Sequence, residues 1–584
     1  MKHWSFISGF SSIVCFLILG SNLEAKDSKL MESYYQPYFK NKYFSSSDLQ
    51  SLSARLRGKD REEDAPAQDY DQWPVDLGTA QTAFTESPII DLDGDGRKEV
   101  ISVGRTIFSD DQEGIYVFPL KPEQPYDQYR SPFFSSNVGL PVSIGDLDGD
   151  PTTLEFVYKA KQKDKDALYA YRYQQNKISL LWRFGFPKSA FFSESYLSPI
   201  LADLDGDQNL EVFAADEFDG DATALFVLDR NGKMLHKKRA SKASLGRGVY
   251  AAAVGNILGT PNLEIVTMSH PYAGDEMPGK ITIFDASLNR LKQGHFSGID
   301  LALADIDQDQ MAEIVALSIP YVQKNPQITG AQEWCVDLLI VDPQGWKQFQ
   351  KPYCFGEFVD AAWEQDGFLF FDQSSILINQ GFLNSDHLVL DRSGGKESLD
   401  LFFSIRYRRA LIKASKSLEI LEINPIKNQT QLVQTRISQN FDINTHKTVS
   451  LQTDEDFFSV SFPSRIVDIN GDGLDEVVGL KINHGDTDLI AWERGPSPLD
   501  ILKPEPISLR HFELPKEYQN EFLSLTTHMT PFFADASGNH GLDISLPTFG
   551  GQLQLWNQYS IWRQKKTRGV QMYRYDLQRS GYFR

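Results

Sequence analysis

Carboxylates recur in this chain at a spacing that suits one kind of chemistry. The sharpest case is Asp91-Leu92-Asp93-Gly94-Asp95-Gly96-Arg97-Lys98-Glu99, with acids at loop positions 1, 3, 5 and 9. Alternate positions aim oxygens at one centre, and glycine lets the backbone turn tightly around it. The main-chain carbonyl of Arg97, at position 7, completes an all-oxygen set suited to a hard cation. A cage built from protein oxygens favours calcium over magnesium. No histidine or cysteine stands in the loop, which argues against zinc. An EF-hand would need a bidentate acid at position 12 and flanking helices. Here the last acid falls at position 9, and the flanks are β-branched runs.

The same pattern returns with Asp203, Asp205, Asp207, the carbonyl of Asn209 and Glu211. It returns again with Asp305, Asp307, Asp309, the carbonyl of Met311 and Glu313, and with Asp468, Asn470, Asp472, the carbonyl of Leu474 and Glu476. Two copies are weaker. In Asp146, Asp148, Asp150 and Glu155, Pro151 and an extra residue push the last acid to position 10. Asp535, Ser537, Asn539 and Asp543 keep only two carboxylates. The stretch Asn256-Ile257-Leu258-Gly259-Thr260 reads as a copy that has lost its carboxylates, expected to turn without metal, and the copy at Asp391 is expected to be empty. The expectation is four to six structural calcium ions. The twenty-one carboxylates in the six acidic loops equal in number the formal net charge of −21. Crowded without a cation, they would repel strongly.

Each loop joins a short apolar run to a β-branched run, as in SPIIDLDGDGRKEVISVG (87–104) and SPILADLDGDQNLEVFAAD (198–216). The loops begin at residues 91, 146, 203, 256, 305, 391, 468 and 535, so successive spacings are 55, 57, 53, 49, 86, 77 and 67. Each interval holds four short strands and their turns, the size of a propeller blade. Second hairpins such as ALFVLDRNGKMLHKK (224–238) and KITIFDASLNRLKQGHF (280–296) follow the loops. Helical periodicity is nearly absent from this region. The fold class expected is all-β, one seven- or eight-bladed propeller. The two longest intervals flank Asp391, so insertions are expected within 356–460.

With these loops in hand, the chain resembles the FG-GAP/VCBS repeat family, the calcium-loop β-propellers typified by integrin α-subunit heads. The resemblance covers roughly residues 73–584 and rests on the D-x-D-G-D-G-x-x-E loop recurring at blade spacing. It implies calcium bracing a hairpin in most blades, with other loops doing the binding. Gln72-Trp73-Pro74-Val75-Asp76-Leu77-Gly78 looks like blade-ending text with no blade before it, so it is expected to complete the last blade with residues 521–584. The tail Met572–Gly581 resembles C-terminal text of bacterial secreted propellers.

The ends carry other signals. Lys2, an apolar run of about 15 residues and the small-residue end SNLEA fit a signal peptide cleaved near Ala25, too short to span a bilayer that needs ~20. Residues 26–72 form an extension: a possible capping box at Ser47-Asp48-Leu49-Gln50 with Leu52 and Leu56 predicts a short helix, and 59–72 a charged linker. Export to the periplasm, the cell surface or the medium is expected. Past the signal peptide, Cys335 and Cys354 flank the turn Asp342-Pro343-Gln344-Gly345. A cross-hairpin disulfide is favoured over two buried thiols, because an oxidising compartment preserves it.

Function is less marked. A net charge of −21 argues against nucleic acid and against an acidic substrate. No HExxH or GxSxG motif occurs, and His236, His270, His295, His484 and His528 share no spacing that suggests a site. Phe133-Phe134, Phe191-Phe192 and Phe532-Phe533 read either as stacking rings or as inter-blade core, core being the commoner fate. The reading is an exported binding or adhesion module for a protein or glycan, not an enzyme. The alternative is a polysaccharide lyase on the same scaffold, which calcium-bearing rhamnogalacturonan lyases resemble.

Overall fold

A computed structural model describes residues 68–583, except for stretches of which the longest are 187–196, 359–368, 494–506, 514–530 and 558–581. The signal-peptide segment and nearly all of the extension, with its helix, lie outside the described residues.

The described strands form eight sheets, arranged as the eight blades of a propeller; pairing is antiparallel throughout except for Tyr582–Phe583, which runs parallel to Leu303–Ala304 in blade 5. Blades 1 to 5 take residues 81–135, 143–185, 200–241, 247–295 and 298–358. Blades 6 and 7 take residues 369–453 and 460–513. Blade 8 combines Phe532–Ala534, Asp543–Pro547 and Gln552–Asn557 with Gln68–Asp69 and Val75–Asp76 from the start of the ring. Val75 pairs with Leu553 and Gln68 with Asn557, so the two ends close the circle. The expected closure is therefore present through residues 532–557, whereas Tyr582–Phe583, expected in the last blade, pairs with blade 5; the ring begins by Gln68, within the segment read as linker. Closing the ring leaves no sheet edge between first and last blades.

Strand periodicity builds the core. Side chains on a strand alternate between faces, so each middle strand feeds two inter-blade layers. Val212 and Ala214 face blade 2, while Phe213 and Ala215 face blade 4. Eight apolar clusters result, one at every junction of the ring including that between blades 8 and 1. Phe134, Phe532 and Phe533 are buried in these layers, as the core reading expects. Phe133, Phe191 and Phe192 lie outside the described residues.

The long interval around Asp391 is explained by blade 6. Its extra length goes into paired strands of 18 and 19 residues, Ser398–Ser415 and Ile420–Ser438. Blade 5 carries the disulfide: Cys335 and Cys354 are cross-strand partners, bonded, with Cα atoms 4.1 Å apart. Among the described residues, no helix is long and apolar enough to cross a membrane.

A second set of links runs around the rim, each from near one blade's outer strand to the outer hairpin of the next. Trp73 Nε1 donates to the Leu120 carbonyl at 2.9 Å, and Trp182 Nε1 to that of Arg230 at 2.8 Å. Lys238 Nζ reaches the Leu288 carbonyl at 2.8 Å, Lys292 Nζ the carbonyls of Pro343 and Gln344, and Lys351 Nζ that of Ile443 at 2.8 Å.

Candidate metal centres

The acidic loops join the innermost strand of a blade to the second strand. In blade 1, Gly94 and Gly96 donate backbone N–H bonds to the two oxygens of Asp91, at 2.8 and 3.0 Å. The Arg97 N–H reaches Asp95 Oδ1 at 2.7 Å. Blade 3 repeats this, with Gly206 and Gln208 donating to Asp203 and Asn209 to Asp207. In blade 5, Gln310 donates to Asp305 and Met311 to Asp309.

The turn demands left-handed backbone at loop positions 4 and 6. Gly94 and Gly96 have φ of 71° and 85°. Where glycine is missing, Gln208, Gln308 and Gln310 still adopt φ of 71°, 65° and 73°. A non-glycine residue pays roughly 1–2 kcal/mol for this conformation. The loop shape is thus imposed rather than relaxed, as at other functional turns.

The last acid of each loop is buried and holds the turn from below. Glu99 Oε2 accepts the Leu92 N–H at 2.9 Å, Glu211 that of Leu204 at 2.9 Å and Glu313 that of Ile306 at 2.7 Å. Glu155, Glu476 and Asp543 do the same for Leu147, Ile469 and Ala536. The copy at Asn256 corrects the sequence reading in one respect: it keeps its last acid. Glu264 is buried and accepts from Ile257 N and Thr260 Oγ1. The turn otherwise has the expected shape, with Gly259 N donating to Asn256 Oδ1 at 3.1 Å.

Four groups bring ligand oxygens within 4.8 Å of one another: Asp91, Asp93 and Glu99; Asp146, Asp148 and Glu155; Asp203, Asp205 and Glu211; Asp305, Asp307 and Glu313. Asp95, Asp150, Asp207 and Asp309 stand beside them and cap their own loops through backbone N–H groups. Burial, then the neighbouring aspartates, pushes Glu99 up to about 8, Glu313 up to about 8 and Glu211 up to about 7. Asp305 Oδ1 is buried without a hydrogen-bond partner, inside its cluster. Crowded carboxylates that resist ionisation, one with an orphaned oxygen, are a donor set that a divalent cation satisfies. The loops of blades 1, 3 and 5 fit calcium on these grounds.

Blade 2 differs. Its carboxylates are already held by an arginine. Arg172 Nε donates to Glu155 Oε1 at 3.0 Å, and its Nη2 donates to Asp148 Oδ2. Burial raises Glu155 while its hydrogen bond with Arg172 pulls the other way. Asp146 also lacks the second backbone donor found in the loops of blades 1, 3 and 5, because Pro151 stands at position 6 and has no N–H. Blade 7's Asp468, Asn470, Asp472 and Leu474, and blade 8's Ser537 and Asn539, lie outside the described residues.

No protein-family profile matches the sequence, and a search of curated proteins finds no relative. Solved structures do resemble it at low similarity. The Vibrio cholerae biofilm matrix protein Bap1 is 12% identical, with a TM-score of 0.32, over 85% of this chain and 91% of that one. The exotype rhamnogalacturonan lyase YesX is 13% identical, TM-score 0.34, over 83% and 92%. Sqt1 of Chaetomium thermophilum, solved with the N-terminus of a ribosomal protein, is 12% identical, TM-score 0.37, over 84% and 100%.

Proposed function

We propose that the chain is an exported binding module of the FG-GAP/VCBS type, whose calcium ions are structural. Residues 91–99, 203–211 and 305–313 would hold the ions, each through its aspartates, its buried glutamate and the carbonyl at position 7. Calcium supplies the positive charge that the crowded carboxylates lack. The chain's own hairpins supply the shape. An ion that binds only the folded ring stabilises it.

One observation carries the binding role. All five exposed large hydrophobic side chains among the described residues lie on the outer strands of three consecutive blades: Leu180, Leu181, Met234, Leu235 and Leu291. Leu181, Leu235 and Leu291 each sit at a β-bulge, one per blade. The same three strands, Lys177–Gly185, Met234–Ser241 and Arg290–His295, hold seven lysines and arginines and no carboxylate. In a chain of net charge −21 this rim is locally basic. The objection that overall charge raised against acidic partners does not apply there. Clustered apolar groups rimmed by charge mark an interaction surface. Lysine also guards edge strands against pairing, but guarding does not call for leucine on three bulges.

The partner is an extracellular protein or glycan that carries negative charge. The test is retention of the mature protein on acidic and neutral polysaccharides at low and high salt, beside Lys237→Glu/Arg239→Glu. The variant should weaken acidic-glycan retention about tenfold, ~1.4 kcal/mol. Retention on neutral glycans as strong as on acidic ones would sink the charged-rim reading. Shortened glycan in the bound lanes would instead favour the lyase alternative.

A further inference from the structure

The residue that faces the buried loop acid across the second and third strands differs between blades, and the difference is chemical. In blade 1, Glu99 faces Pro119. In blade 8, Asp543 faces Asn557. In blades 3, 4, 5 and 7 the register runs on from the pairs Val212 with Leu228, Ile265 with Phe284, Ile314 with Val341 and Val477 with Trp492. It brings Asp229, Asp285, Asp342 and Glu493 opposite the loop acids. Blades 2 and 6 alone place arginine there: Arg172 opposite Glu155, and Arg436 opposite Asp400.

Both arginines hold the acid they face. Arg172 bridges Glu155 and Asp148, two of the three carboxylates that converge in its loop. Arg436 grips Asp400 with both ends of its fork, Nε to Oδ1 at 2.7 Å and Nη2 to Oδ2 at 2.8 Å. Asp400 is 1% exposed. In both blades the loop sequence departs from the D-x-D-G-D-G-x-x-E spacing. A guanidinium carries a fixed charge and a planar fork that matches carboxylate geometry. Among the four converging groups, only the one in blade 2 has a cationic side chain bonded to two of its carboxylates in the described contacts.

We infer that Arg172 is a built-in cation that takes the place of the metal in blade 2, so that the loop at Asp146 binds no calcium. Arg436 does the same for the buried acid of blade 6. The inference rests on the calcium reading of blades 1, 3 and 5, but it fails separately from that reading. It makes part of the ring independent of metal. Blade 2 packs between blades 1 and 3 and bonds the first loop directly, Leu154 N donating to the Leu92 carbonyl at 2.8 Å. A metal-free hairpin thus braces its metal-binding neighbour.

The experiment counts calcium bound per full-length mature chain by equilibrium dialysis and elemental analysis, with melting followed in parallel. Asp205→Ala, in blade 3, loses one ion, and a count left unchanged there overturns the calcium reading itself. Asp148→Ala keeps the wild-type count. Arg172→Gln gains one ion, melts lower than wild type in chelator and recovers when calcium is added. Loss of an ion in Asp148→Ala, or no gain in a folded Arg172→Gln, overturns the inference. Should Arg172→Gln not fold, the Asp148→Ala count decides alone.

Discussion

The loops of blades 2 and 3 share a hairpin, a first aspartate capped by a glycine N–H, and a buried glutamate under the turn. They part at Pro151 and the extra residue of the blade 2 loop, and at the residue in line with the buried acid, Arg172 in blade 2 and Asp229 just past the strand end in blade 3. Two layers of design separate here. The turn and its buried acid build the shape, and on the proposed reading a cation neutralises it. Blade 4 makes the point from the other side. It keeps Glu264 but swaps the first aspartate for Asn256, whose side-chain amide donates to the Gln310 carbonyl of blade 5 at 2.8 Å. Three neighbouring blades keep the buried glutamate under the turn with different groups around it: Arg172 in blade 2, Asp205 and Asp207 in blade 3, and Asn256 and Thr260 in blade 4.

The contrast can be broken most heavily by stripping metal. A site that binds only the folded ring contributes about 2.7 kcal/mol when free calcium is 100 times Kd. Chelator at pH 8 should therefore lower the melting temperature markedly, through blades 1, 3 and 5 together. A melting curve indifferent to chelator would remove the difference between blades 2 and 3.

The pH dependence of the chelated protein comes next. Glu99, Glu211 and Glu313 have folded pKa values raised above the ordinary 4.5, to about 8, 7 and 8. A raised carboxyl binds its proton more tightly in the folded state. The stability it gives is complete below about 4.5 and is lost as pH rises through 7 to 8. Metal-free protein should thus melt lower at pH 8.5 than at pH 5.5, and saturating calcium should flatten that slope. Differential scanning calorimetry at both pH values checks it.

A single ligand gives a smaller change. Asp205→Ala should lower stability by about 2.7 kcal/mol in calcium at 100 times Kd and by little in chelator. Equal losses in both conditions would mean that Asp205 serves the turn and no ion.

The finest contrast lies inside one loop. Gly94 and Gly96 are both left-handed, so alanine costs roughly 1–2 kcal/mol at either. At Gly94 a methyl group would also collide with the Thr152 carbonyl of blade 2, whereas nothing lies within 4 Å of one at Gly96. Gly94→Ala should be the more destabilising in urea melts. Equal losses would argue that the loops of blades 1 and 2 are not in firm contact.

Much of this was legible in the sequence, because spacing along the chain carries it. The loop period, the alternating apolar runs and the turn at Asp342 led to a propeller and to the Cys335–Cys354 bond. The closing strand at Val75 was legible as blade text out of place. Eight blades rather than seven was not, because the long strands of blade 6 hide its period. Arg172 was invisible for a different reason. It lies 17 residues beyond Glu155 and meets it only through strand register. The basic rim is spread over three strands more than a hundred residues apart from end to end, so no window of sequence contains it. Glu264 is hard to read from sequence because its copy has lost the leading aspartates that mark the others.

The rim links all run in one direction, from a blade to its successor, and that direction matters while the chain is being made. Each donor precedes its acceptor in the sequence and meets it soon after. The strand pairing of the outer strand of blade 8 has the opposite timing. Residues 68–76 leave the ribosome before any other blade strand, yet their partner strand is Gln552–Asn557. At ~5–20 residues per second, they wait roughly half a minute or longer for it. Trp73 can dock early, through its bond to Leu120, while the edge beside it stays unpaired. A chain cut short before residue 552 would carry seven blades and an open seam. Such a product should be conspicuous to proteases and chaperones.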